Sequence, residues 1–301
     1  MKRLSTGLLV SLVALTTLAQ SGKENNTLLW KISGNGLEKS SYLFGTVHMI
    51  CKEDAYLSTN LMSAIAKADR VYLELDMDNL FEMVGAMMKM KMNNDTTLAD
   101  LLTRDEYQKT KEYFEAKVSM LPFSVLETYK PLVASSLLME STVACDQQVA
   151  MEQLVMEEAK KNGKRIDGLE TMAYQMSIFD SIPYKVQAQE LFKSIASGDK
   201  ESDSDKEYKE LIKAYKEQDL NKLGQMISKS DQGMMQYEDI LLNNRNRNWV
   251  AKLKTILKDK SLVIAVGAGH LPGDKGLINL LRKEGYTVTP VENKASNMKE
   301  I

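Results

Sequence analysis

The chain carries two histidines, His48 and His270, and both stand in the same local setting. His48 closes Gly45-Thr46-Val47-His48 behind the apolar run Tyr42-Leu43-Phe44. His270 closes Gly267-Ala268-Gly269-His270 behind Val263-Ile264-Ala265-Val266. Imidazole is the commonest protein metal ligand and titrates near neutral pH. A glycine three residues earlier lets the chain turn sharply and lets another group come close to the backbone. A lone Gly-x-x-His reads as a histidine satisfied at a turn; two of two in matched settings point to one shared site. Glu74 ends the apolar run Val71-Tyr72-Leu73, where an acid is costly unless it is paired or bound to metal. Two histidines and a carboxylate form a divalent-metal set, as in zinc hydrolases or open facial triads. The alternative for Glu74 is a pair with a buried arginine.

Arg245 stands four residues before Trp249, so the two share a helix face. A guanidinium half-buried there suits an oxyanion or a substrate carboxylate; the alternative is a surface arginine, as expected for Arg247. Asp76 shares a face with Glu74 if the strand continues, or else caps the next helix. The Met83–Met92 stretch, rich in methionine, reads chiefly as helix packing and secondarily as a soft-metal or peptide-binding face. Cys51 and Cys145 are suited to a disulfide in an oxidising compartment, with two separate buried thiols as the alternative.

These residues need strands that end beside one another. Residues 28–32 and 41–44 read as a hairpin across Ser33-Gly34-Asn35-Gly36, and 71–75 as a third strand after a helix capped by Ser58. Residues 164–170 are a short strand candidate, 261–266 a buried strand and 286–291 a last one. Between Leu80 and Ala196 the pattern is mostly helical; Thr97 and Asp100 form a capping box. The expected fold is therefore α/β: a mixed sheet built from N- and C-terminal strands with a large helical middle. Residues 21–301 are expected to form a single domain with a helical insertion at about 78–258. The polar segment 197–218 reads as a solvated loop and helix face.

Lys2-Arg3, the apolar stretch from Leu8 to Ala19 and the small residues after it read as a signal peptide over 1–20. The expectation is an exported protein, periplasmic or secreted, with no membrane span after cleavage. Of 301 residues, 39 are basic and 41 acidic, and aromatics make up 7%. A net charge of −2 gives no electrostatic case for nucleic acid, and the low aromatic content gives no stacking platform.

Trp30-Lys31-Ile32, Ser41-Tyr42-Leu43-Phe44-Gly45-Thr46-Val47-His48, Glu74, Gly168-Leu169-Glu170-Thr171, Arg245-Asn246 and Gly267-Ala268-Gly269-His270 together resemble the TraB/PrgY/GumN family. That family includes the animal Tiki proteases. The motifs occur in family order over roughly residues 28–292. The resemblance implies a fold akin to erythromycin esterase and ChaN-like proteins, and a metal-dependent peptidase using His48, His270, Glu74 and Arg245. It implies manganese or cobalt as the ion; the residues alone also allow zinc. Many relatives have an acid where this chain has Asn244. Glu170, also at a strand end, is the candidate base. The resulting expectation is a hydrolase acting on a peptide or a small molecule. The alternatives are a binding protein for such a ligand without turnover, and a metal-free hydrolase with histidine as base.

Overall fold

The computed structural model describes residues 26–76, 85, 87–117, 121–142, 145, 147–196, 203–229 and 234–295. The segment 1–20 read as a leader lies outside them. So do Met83, Val84 and Ala86 of the methionine-rich stretch, of which Met87 and Met88 are exposed.

Eight strands appear among the described residues: Leu29–Ser33 (β1), Ser41–Thr46 (β2), Ile50–Cys51 (β3), Arg70–Leu75 (β4), Gln148–Val149 (β5), Arg165–Glu170 (β6), Leu262–Gly267 (β7) and Thr287–Val291 (β8). Six form one mixed sheet in the order β6-β4-β7-β2-β1-β8. The four strands β6, β4, β7 and β2 are mutually parallel, while β1 runs antiparallel to both β2 and β8. The sequence carries the reasons. β7 is buried from Leu262 to Val266, as a parallel strand between two neighbours must be, so it reads as an unbroken apolar run. β8 alternates exposed Thr287 and Thr289 with buried Val288 and carries Pro290, which an edge strand tolerates. The β1–β2 turn uses Gly34 and Gly36 at φ of 76° and 78°, a region that costs other residues dearly.

Helices connect the parallel strands. Thr59–Lys67 follows β2 and starts at Ser58, whose hydroxyl accepts from the Leu61 amide at 3.1 Å. Met151–Lys161 precedes β6, Asn244–Ile256 precedes β7, and Leu277–Lys283 separates β7 from β8. The sheet and these helices share one apolar core that includes Leu43, Phe44, Leu73, Val155, Trp249 and Ile264. The helical middle has its own apolar cluster, with Leu98, Phe114, Phe123, Leu126, Ala134 and Leu191 at its centre. The Thr97 amide donates to the Asp100 carboxylate at 2.8 Å, completing the expected cap.

The span 78–258 is not purely helical. β6 returns to the main sheet as its edge strand, and β5 pairs with β3 in a two-stranded ribbon. Cys51 and Cys145 are bridged across 94 residues of chain at a Cα–Cα distance of 5.9 Å. Of the polar segment 197–218, residues 197–202 lie outside the described residues, and the remainder departs from a plain solvated face. Within the Asp203–Lys216 helix, Ala214 and Tyr215 are buried, and Tyr208 and Tyr215 donate to the carbonyls of Met49 and Gly45, each at 3.1 Å. No helix among the described residues is long and apolar enough to cross a membrane.

Candidate functional site

Four adjacent parallel strands deliver the site residues at their C-terminal ends, where sheets of this kind collect ligands. β2 leads to His48, β7 leads to His270, β4 carries Glu74 and β6 ends in Glu170. Register brings the twin motifs side by side: Gly45 pairs with Val266, and Thr46 with Gly267. A Cβ on Gly45 would lie 3.2 Å from Ala268 Cα and from Leu271 Cδ2, so this glycine lets one motif nest against the other. A Cβ on Gly267 would lie 3.2 Å from Glu74 Oε1, and the Gly267 amide donates to that oxygen at 2.8 Å.

Arg245 is buried at the centre. It sits at the start of Asn244–Ile256, directly after a π-helical turn, Asp239–Asn243, of the kind often found at functional sites. Nη2 donates to Glu74 Oε2 at 2.5 Å and to Glu170 Oε1 at 2.8 Å. Nε donates to both Glu170 oxygens at 3.1 and 3.2 Å. Nη1 donates to the Leu241 carbonyl at 3.0 Å and faces His270 Nε2 at 3.2 Å. All the guanidinium N–H groups are thus engaged, and Arg245 also lies 4.8 Å from the centre of the Trp249 ring. Trp249 Nε1 donates to Glu170 Oε2 at 2.9 Å. Glu74 therefore follows the alternative reading of an acid paired with a buried arginine. Arg247 is exposed, as expected.

Arginine can only donate, so His270 Nε2 must accept from it and the ring proton sits on Nδ1. That proton goes to Asn246 Oδ1 at 2.7 Å, while Asn246 Nδ2 donates to the Lys275 carbonyl at 2.9 Å. Burial pushes His270 down to about 4, so the ring is neutral at physiological pH. Burial works against the Glu74 carboxylate. The charges of His270 when protonated and of Arg245, with the Gly267 amide, outweigh it and hold Glu74 at about 2. Burial raises Glu170 despite its bonds to Arg245.

His48 differs: its side chain is 76% exposed. Nδ1 lies 3.0 Å from Glu152 Oε1, which also accepts from Thr46 Oγ1 at 2.7 Å. The hydrogen bond to Glu152 is the largest influence on His48 and raises it to about 9. Sequence reading did not select Glu152, Thr46, Asn246 or Tyr215 as site residues. Glu152 had left a signal: it lies three and seven residues before Val155 and Ala159, so an acid falls on the buried stripe of its helix.

The proposed ion set was His48, His270 and Glu74. Among the described residues, no group of three or more His, Cys, Asp or Glu is placed to hold a metal ion. The donor set gives the reason. His270 Nε2, Glu74 Oε2 and both Glu170 oxygens face the Arg245 guanidinium, a cation already seated among them. In this arrangement the residues do not fit a metal; an ion would take those donors only in exchange for the guanidinium.

The TraB/PrgY/gumN family model matches residues 28–290. Among curated relatives, Metalloprotease TIKI2 of Danio rerio is 23% identical over 89% of this chain and 61% of its own length. Metalloprotease TIKI1 of Homo sapiens is 22% identical over 88% of this chain and 62% of its own. The chain thus spans about three fifths of the length of the curated relatives it matches. No solved structure matches. The family model covers nearly all of the sheet and every residue of the cluster around Arg245, so this chain belongs to the TraB/PrgY/gumN family.

Proposed function

We propose that the chain is an exported hydrolase that cleaves peptide bonds at the C-terminal edge of its sheet. One observation carries the reading: an open imidazole, His48, stands just past the end of β2, the neighbour of the strand that leads to His270 in a closed, charged cluster with Arg245, Glu74 and Glu170. Relatives named metalloproteases supply the peptide class. His48 holds or passes a proton at Nε2, the ring atom opposite its bond to Glu152, and so is the group that meets water or the leaving amine. The Arg245 cluster fixes the electrostatic field beside it. With its N–H groups engaged internally, Arg245 acts here as the counter-charge of Glu74 and Glu170. The disulfide supports export, since such bonds persist in oxidising compartments.

The test is digestion of a mixed peptide library by the full chain, read by mass spectrometry, with His48→Ala and His270→Ala in parallel. Each reaction runs with a chelator and with added manganese, cobalt or zinc. Cleavage lost in both variants supports the reading, and cleavage retained in His48→Ala overturns it. The chelator and metal arms separate an ion-requiring reaction from one that runs on side chains alone. Peptide retained without cleavage under every condition would identify a binding protein.

A further inference from the structure

Among the described residues, Glu152 Oε2 and Asn293 Oδ1 are the buried side-chain oxygens without a hydrogen-bond partner. A carboxylate kept buried with one oxygen idle is expensive, and packing alone would be served better by an apolar residue. We propose that Glu152 is the positioning residue of His48, held in place by the disulfide-stapled ribbon of β3 and β5. This rests on His48 being the working group of the hydrolase proposed above.

The geometry is local on both sides of the contact. Glu152 lies in the first turn of Met151–Lys161, where the helix dipole favours negative charge. Its Oε1 is anchored by the Thr46 hydroxyl, two residues before His48, and receives His48 Nδ1. The chain segments that carry the pair are joined next to it: the Met151 amide donates to the Val47 carbonyl at 3.3 Å. Just beyond, Ile50 pairs with Val149 and Cys51 with Gln148. The Lys52 amide donates to the Gln147 carbonyl at 2.9 Å, and the Cys51–Cys145 bond closes the ribbon. A two-residue strand pair is too short to hold alone; the disulfide supplies the constraint.

The chemical consequence concerns the tautomer. An ionised carboxylate only accepts, so a neutral His48 must carry its proton on Nδ1 and its lone pair on Nε2. His270 is held in the same tautomer by Asn246, but Arg245 covers its Nε2. Glu152 therefore keeps Nε2 of His48 as the one open ring position of the two histidines, which carries the mobile proton while the ring is charged and a lone pair once it is neutral.

Having two histidines makes the test direct. The full chain is labelled with ¹⁵N-histidine, and both rings are read by NMR at a pH where each is neutral. Wild type is expected to show His48 with Nδ1 protonated. Glu152→Ala moves His48 toward the Nε2-protonated form that a free imidazole prefers and leaves His270 unchanged. Glu152→Gln, whose amide oxygen still accepts from Nδ1, restores the wild-type form. Thr46→Val and the Cys51→Ser/Cys145→Ser pair each produce a partial shift at His48 alone. An unchanged His48 tautomer in Glu152→Ala overturns the proposal, and so does an equal shift at His270. If Glu152→Ala does not fold, Thr46→Val carries the same decision. Peptide digestion by wild type is scored separately, so its absence would sink the hydrolase reading and leave the tautomer result standing.

Discussion

At the residue scale, Arg245 is the hinge of the site's electrostatics. It holds two buried carboxylates, and removing one partner of a buried ion pair leaves the other uncompensated. Arg245→Met is expected to lower the unfolding free energy by about 3–5 kcal/mol, read by urea denaturation. Adding Glu170→Gln should recover part of that loss; a double variant no better than the single one would show that Glu170 is not the group left unpaired. His48 gives a pH signature. Its value in the folded chain is about 9 against 6.5 for an ordinary histidine: the bond to Glu152 raises it, burial works against that, and the charges of Glu152, Glu74 and Arg245 act in smaller measure. A raised folded value favours the protonated native state, so the stabilisation is complete below about 6.5 and fades as pH rises through about 9. The urea midpoint should therefore fall further from pH 6 to pH 10 in wild type than in His48→Gln. Equal drops in the two proteins would show that the pair contributes nothing.

At the element scale, glycines set how closely the strand ends approach. A Cβ on Gly168 of β6 would lie 2.5 Å from the Asp76 amide nitrogen and 2.8 Å from the Glu170 carbonyl oxygen, both backbone atoms with little room to yield. Gly168→Ala should thus cost more than the roughly 1–3 kcal/mol of ordinary overpacking, because the β4–β6 pairing beside Glu170 must shift. Thermal unfolding compared with Gly163→Ala would check this. Gly163 has open space for a Cβ but a φ of 63°, so its cost is one of backbone strain alone. The main strands and the Ser58 and Thr97 caps were legible because each depends on residues within one short window. β3 and β5 were not: two residues carry no period, and their pairing is made between segments nearly a hundred residues apart.

At the scale of the whole molecule, the disulfide joins the chain just after β2 to a point within the helical middle. Closing 94 residues in the unfolded chain corresponds to roughly 4–5 kcal/mol in the chain-entropy account. Reduction, or Cys51→Ser/Cys145→Ser, should lower the urea midpoint accordingly. An unchanged midpoint would mean that the ribbon is held by packing alone. The count and compartment of Cys51 and Cys145 make them legible as a pair, whereas the ribbon they close beside Glu152 exists only in the fold.

The sequence by itself determined the main strands, the place of each Gly-x-x-His motif at a strand end and the family, since strand ends and motif order are written locally; that β2 and β7 are neighbours was decided by the fold. The partners of each group were decided only by the tertiary structure. Glu74 and Arg245 are 171 residues apart, and His48 and Glu152 stand 104 positions apart by their numbering. Whether a buried carboxylate meets an ion, a guanidinium or an imidazole depends on which groups the packing delivers within about 3 Å, a distance no spacing along the chain encodes. That is why Glu74 was readable as an acid in need of a partner, while the partner's identity waited for the fold.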